Sequence, residues 1–158
     1  MVGRIRTMGK MIATIGAAAL LITAVPATAA PATLVAALEG GDAEVPDPGD
    51  PDGSGGAQVR VNVKKEKVCF VLVTLGITLP AAAAHIHEGE ARVAGPILVT
   101  LKPPQEIAGT GIGLSKGCVK DQKRSLLRDI RNNPDQYYIN VHTTDYPGGA
   151  VRGQLEAA

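Results

Sequence analysis

Alternating apolar and polar residues predict β-strands along most of the chain. Val59, Val61 and Val63 alternate with Arg60 and Asn62, and this period of two is typical of a strand with one face in water. Segment 68–75 is apolar on both faces, so we predict a strand in the middle of a sheet and expect it to be the main core strand. The remaining predicted strands are 32–38, 81–87, 96–101, 136–142 and 149–155.

One segment has the spacing of an amphipathic helix. It covers 121–131, with Leu126, Leu127 and Ile130 on one side and Pro134 shortly after its end. Seven strands and one helix predict an all-β fold, a β-sandwich or a Greek-key barrel. Because the chain has one Phe, three Tyr and no Trp, its core must consist mainly of Val, Leu, Ile and Ala.

The first 29 residues have the pattern of a cleavable export signal. Arg4, Arg6 and Lys10 precede the apolar run 11–25, and small residues follow up to Ala29. The run is about 15 residues long, shorter than the roughly 20 that a membrane-spanning helix needs. We therefore predict a signal peptide over 1–29, a single domain over 30–158, secretion, and no membrane span after cleavage. A retained membrane anchor is the alternative.

Charge and cysteine content agree with an exported protein. Without Arg4, Arg6 and Lys10 the chain has 13 basic and 15 acidic side chains, a balance that does not favour nucleic acid. Cys69 and Cys118 are the two cysteines. In an oxidising compartment this pair predicts a disulfide, and two buried free thiols are the alternative.

The three histidines fall on predicted strands. Successive side chains of a strand point to opposite faces, so an inward Ile86 places His85 and His87 together on the outer face. With Ile139 and Val141 inward, Asn140 and His142 also face outward. The three imidazoles would meet on one surface if the two strands are neighbours.

Three converging imidazoles could bind copper or zinc, for which histidine is a usual ligand. A fourth ligand would have to be Glu88, Glu90, Asp145, Tyr138 or water. Alternatively, the histidines hydrogen-bond nearby loops and fix their shape.

Other chemistry has weaker support in the sequence. The three serines, Ser54, Ser115 and Ser125, lie outside any nucleophile-elbow context, so we do not predict an enzyme, except for copper-dependent redox work at the histidines. The acidic segment 40–56 contains Asp50 and Asp52 before a glycine, which is typical of calcium loops. It lacks the other EF-hand ligands, so we predict a solvated turn.

Several motifs together resemble the CHRD domain family. The resemblance covers 34–155 and rests on segments 44–46, 85–89, 95–96, 138–143 and 151–155, with Pro147. It implies an immunoglobulin-like β-barrel similar to copper/zinc superoxide dismutase, and an extracellular setting like that of chordin, for which the family is named. Single-domain members also occur behind bacterial signal peptides. The chain departs from the family pattern at Ala150, where Glu is frequent, and at Arg92 and Ala94, where Gly and Asn are.

Three functions are consistent with these observations. The first is a secreted, non-enzymatic binding module for an extracellular protein or surface ligand. The second is a copper or zinc protein using His85, His87 and His142, for storage or redox work. The third is a structural domain in which Asn140, Arg152 and Gln154 form a hydrogen-bonded brace, with Arg152 paired to Asp145 or Glu88.

Overall fold

The computed structural model describes residues 30–158, so the predicted signal peptide, 1–29, lies outside the described residues. Ten strands and one α-helix are present in this part of the chain. The strands are β1 (Ala32–Glu39), β2 (Ser54–Asn62), β3 (Lys67–Leu75), β4 (Ala83–Glu88), β5 (Ile97–Leu101), β6 (Gln105–Glu106), β7 (Gly113–Val119), β8 (Tyr137–His142), β9 (Val151–Gln154) and β10 (Glu156–Ala157). The helix, α1, is Arg124–Asn132, and short 3₁₀ turns occupy Gly41–Ala43 and Pro134–Gln136.

The strands form one curled antiparallel sheet that resembles half of a barrel. Their order is β5-β4-β8-β9-β1-β2-β3-β7-β6, and β10 pairs with β1 beside β9. The predicted all-β fold with a single helix is confirmed. No helix of residues 30–158 is long and apolar enough to cross a membrane.

The core lies on the inner face of the sheet and has the predicted composition. Alternate residues are buried on β1, β2 and β3, as Val59 and Val61 on β2 illustrate, whereas β8 is buried on both faces. Leu127 and Ile130 of α1 add to the same core, and Leu126 is partly buried. The alternation read from the sequence therefore identifies the inner face correctly.

β3 lies in the middle of the sheet, as predicted, but its outer face is partly exposed. Its inner residues Val68 and Leu72 are fully buried, whereas Val71 and Leu75 on the outer face are 41% and 45% exposed. β3 does lie between two strands, β2 and β7, but no second layer covers its outer face.

The sequence pattern missed β6, β7 and β10. β7 has a weak strand pattern because Gly113 and Gly117 interrupt it, yet Gly113 is required there. A Cβ at Gly113 would lie 2.2 Å from Oγ1 of Thr74 on β3. Glycine is unfavourable inside a strand, but at position 113 it leaves room for the neighbouring strand to approach closely.

The predicted disulfide is confirmed. Cys69 on β3 is directly opposite Cys118 on β7, and the two are bonded with a Cα–Cα distance of 3.9 Å. The bridge lies on the outer face of the sheet.

The acidic loop is shorter and more ordered than predicted, because β2 already begins at Ser54. The backbone N–H of Gly40 donates to Gly53 (3.0 Å), and that of Asp50 donates to Ala150 (2.9 Å). The first bond closes loop 40–53 on itself, and the second holds it against loop 143–150, which precedes β9. Asp52 is an exposed turn residue whose N–H donates to the Asp50 carboxylate.

Candidate metal centre

The three histidines share the outer face of β4 and β8, which are neighbouring strands. His85 is opposite Asn140, and His87 is opposite Tyr138. His142 ends β8, opposite the first residue of β4. The inner-face residues between them are fully buried, so the outward direction of all three imidazoles follows from strand alternation.

The imidazoles converge on one point. The ring centroids of His85 and His142 are 5.0 Å apart, and Nδ1 of His85 lies 3.1 Å from Nε2 of His142. One nitrogen from each of His85, His87 and His142 lies within 4.8 Å of the others. The structure thus brings together all three predicted ligands.

Backbone carbonyls set the tautomers of two of these rings. Nδ1 of His87 is 2.9 Å from the carbonyl oxygen of Gly95, and Nδ1 of His142 is 3.0 Å from that of Pro147. A carbonyl can only accept, so both Nδ1 atoms carry the proton and both Nε2 atoms present a lone pair. Nε2 of His87 is buried without a hydrogen-bond partner. Nε2 of His142 lies within hydrogen-bond distance of Nδ1 of His85. A hydrogen bond from one ring nitrogen to a carbonyl is typical of metal-ligating histidines.

The surroundings keep the rings neutral. Burial, together with the smaller effects of the neighbouring His142 and His87, lowers the pKa of His85 to about 4. Burial also lowers the pKa of His87 and that of His142, partly offset in each by the carbonyl hydrogen bond. Neutral imidazole is the form that binds metal ions, so the site is in its ligating state near pH 7.

Tyr138 supports His87 in two ways. The two rings are stacked, with centroids 4.8 Å apart and planes 12° from parallel. The Tyr138 hydroxyl also accepts the N–H of Gly95 (3.1 Å), the residue whose carbonyl holds His87. From β9, on the other side of β8, the Arg152 guanidinium carbon lies 3.4 Å from the Tyr138 ring centroid.

Arg152 and Gln154 lie on the outer face as predicted, but loops cover them. Arg152 is only 4% exposed and donates to the carbonyl oxygen of Glu90 (2.7 Å). Gln154 donates to the carbonyl oxygens of Gly89 (2.6 Å) and Asp135 (2.7 Å). The side chains of β9 therefore hold the backbone of loop 89–96.

Glu44 belongs to this layer and was missed as a site residue by sequence reasoning. It is 3% exposed, and its Oε2 accepts from Nδ2 of Asn140 (3.2 Å). Burial raises the pKa of Glu44 to about 7, although the positive charge of Arg152 and the Asn140 hydrogen bond oppose the rise. The only sequence signal for Glu44 was its place in the motif at 44–46.

The carboxylates expected to pair with Arg152 or to supply a fourth ligand lie elsewhere; Tyr138, the other candidate ligand, is stacked on His87. Arg152 contacts the Glu90 carbonyl and the Tyr138 ring rather than the carboxylates of Asp145 or Glu88, so that pairing was wrong. Asp145 accepts from the hydroxyl of Thr78, and Glu88 lines a cleft of about 700 Å³ beside α1. Among residues 30–158, the His, Cys, Asp and Glu side chains grouped closely enough to hold an ion are His85, His87 and His142 alone.

Comparison with known proteins agrees with the motifs. The family model for the CHRD domain matches residues 34–155, nearly all of the described chain. No curated protein and no solved structure matches the chain. Since the family model covers most of the sequence, the chain belongs to the CHRD domain family.

Proposed function

We propose that this CHRD-domain protein is secreted and binds one copper or zinc ion through His85, His87 and His142. The observation that carries the proposal is the convergence of three neutral imidazoles whose ligand atoms lie within 4.8 Å of one another. The function is that of a binding protein whose ligand is a metal ion.

The spacing of the nitrogens suits an ion after a small adjustment. Metal–nitrogen bonds of about 2.0–2.1 Å place two imidazole nitrogens about 4 Å apart across a metal and closer together in a tetrahedron. The nitrogens lie within 4.8 Å of one another. The rings would therefore have to approach by up to about 0.7 Å for nitrogens across a metal, and by up to about 1.5 Å for a tetrahedral site, where two nitrogens lie about 3.3 Å apart. Side-chain rotation of the half-buried His85 and His142 can supply that movement.

One atom favours a metal site over a purely structural brace. The Nδ1–H groups of His87 and His142 do pin the loops at Gly95 and Pro147, as a brace requires. A brace leaves no role for Nε2 of His87, which is buried and without a partner. Burying an unsatisfied lone pair costs free energy, and an ion bound at that nitrogen would remove the cost.

Secretion is supported by the pattern of residues 1–29 and by the Cys69–Cys118 disulfide. Disulfides persist in oxidising compartments. The protein collected outside the expressing cell is expected to begin near Ala30 by mass spectrometry. An amino terminus far from that position would contradict the predicted cleavage.

The metal proposal is tested on untagged protein, stripped with a chelator and titrated with Cu²⁺ and Zn²⁺ by calorimetry and elemental analysis. We expect one ion per chain, and at least a tenfold loss of affinity in His142→Ala, because a ligand is removed. Asp145→Asn is the matched control, since Asp145 bonds Thr78 and not the histidines, and should bind as the unaltered protein does. No metal above background, or equal binding by His142→Ala, would refute the site.

A further inference from the structure

The three histidines leave part of a coordination sphere without a ligand from the chain. Zinc sites take four ligands, and sites with only three from the protein keep a position for water or an added molecule. Within residues 30–158, no carboxylate or thiolate joins the three imidazoles. The Tyr138 hydroxyl, the other candidate, already accepts the N–H of Gly95. We therefore expect the fourth ligand to come from solution.

The position is accessible to a small molecule. His87 is 7% exposed, but His85 and His142 are half-buried, so the group of three nitrogens reaches the protein surface along the edge that these two rings form. The histidines do not lie at the bottom of a closed cavity that would exclude solutes.

The charge around the site favours an anion over a neutral molecule. Three neutral imidazoles leave the charge of a divalent ion uncompensated. Arg152 adds a positive charge beside the Tyr138 ring on which His87 is stacked. Glu44, the buried acid of this layer, is bonded to Asn140 and does not belong to the group of ligand atoms. A partly desolvated positive centre attracts a compensating negative charge.

From the ligand count, the access and the charge, we propose that the metal-loaded protein binds one small anion, such as a carboxylate, as the exchangeable ligand of the three-histidine centre. This inference rests on the proposed metal site. It adds that the site is an anion receptor and not a closed store for the ion.

The experiment uses untagged protein carrying one Cu²⁺ per chain, or Co²⁺ if the site takes zinc and not copper. Azide is titrated in, and the ligand-to-metal absorption and the electron paramagnetic resonance or d–d spectrum are recorded. We expect a spectral change that saturates at one azide per metal. Free metal ion in the same buffer and the metal-free protein are the controls for signal that does not come from the site.

Competition then tests whether charge matters. Acetate and acetamide have nearly the same shape and differ in charge. Acetate is expected to displace azide at a concentration at least tenfold lower than acetamide. Equal competition by the two would overturn the assignment to anions.

The failures of the two proposals are distinguishable. If one metal ion binds per chain and excess azide leaves its spectrum unchanged, the anion site is refuted and the metal site stands. If no metal binds, both are refuted. A saturable response to azide that acetate reverses supports both.

Discussion

The outer faces of the two halves of the sheet differ in their exposure to solvent. The open half, strands β2, β3 and β7, leaves its outer face in water, with Val71 41% exposed. The covered half, strands β4, β8 and β9, buries its outer face, where Asn140 is 3% exposed. In both halves, successive side chains point to opposite faces. This alternation shows which residues share a face but does not show whether that face is exposed to water.

The difference comes from three loops. Loops 40–53, 89–96 and 143–150 fold over the covered half, and its polar side chains bond their backbones. His87 holds Gly95, Arg152 holds Glu90, and His142 holds Pro147. Buried polar groups need partners, so this layer specifies the loop shapes. Four buried polar atoms of this layer lack a hydrogen-bond partner: Oε1 of Glu44, Oδ1 of Asn140, Nη1 of Arg152 and Nε2 of His87. The His87 nitrogen differs from the other three because its ring belongs to the group of three imidazoles.

The largest expected loss of stability concerns the open half. Its outer face carries the Cys69–Cys118 disulfide instead of a covering layer. Replacing both Cys69 and Cys118 by Ala should lower the free energy of unfolding by about 4 kcal/mol, because a cross-link over this separation restricts the unfolded chain. Denaturant titration measures the change. Val71→Thr on the same exposed face serves as control, with a change within about 0.5 kcal/mol. A loss below 1 kcal/mol in the double variant would show that the bridge adds little.

The next effect compares one arginine from each half. Arg152→Ala should cost about 3 kcal/mol, because it removes a buried cation that stacks on Tyr138, bonds Glu90 and faces Glu44. Arg60→Ala, on the exposed outer face of β2, should change stability by no more than about 0.5 kcal/mol. Equal losses of stability in the two variants would contradict the difference between the covered and the open half.

The third prediction concerns the pH dependence of stability that Glu44 gives the covered half. Because burial raises the pKa of Glu44 from 4.5 to about 7, the folded protein binds more protons there than the unfolded chain does between those values. The stability that this proton contributes is present below pH 4.5 and is lost as the pH rises through 7. Glu44→Gln removes the dependence, so its stability relative to the unaltered protein should be higher at pH 8 than at pH 5, by up to about 3 kcal/mol.

Denaturant titrations at the two pH values test this prediction. The histidines titrate identically in both proteins, so the difference between them isolates Glu44. Glu106→Gln, at an exposed position of β6, is the control and should show the same offset at both pH values. A constant offset in Glu44→Gln would mean that the carboxyl is ionised at both values.

Local pattern was sufficient for several features of the site. The parity of β4 and β8 placed His85, His87 and His142 on one face, since side chains alternate whatever the rest of the fold does. The two cysteines and the compartment predicted the disulfide. The family motifs over 34–155 predicted the fold class, which the sheet confirms.

Features that depend on distant contacts were not predictable in this way. In the sequence, Gly113 makes a strand unfavourable. Only the folded chain shows that the glycine makes room for Thr74 of β3. The outer face of β3 is apolar in sequence but has no layer over it, whereas the polar outer face of β9 is covered by loop 89–96.

Alternation and composition therefore specify which side chains share a face, because backbone geometry alone sets that. Whether a face meets water, a loop or an ion depends on strand order and on loops that close over it from elsewhere in the chain. Only the folded chain brings Glu44 within 3.2 Å of Asn140 across 96 residues and leaves three imidazole nitrogens facing one another, because such contacts are made between segments that carry no local signal for each other.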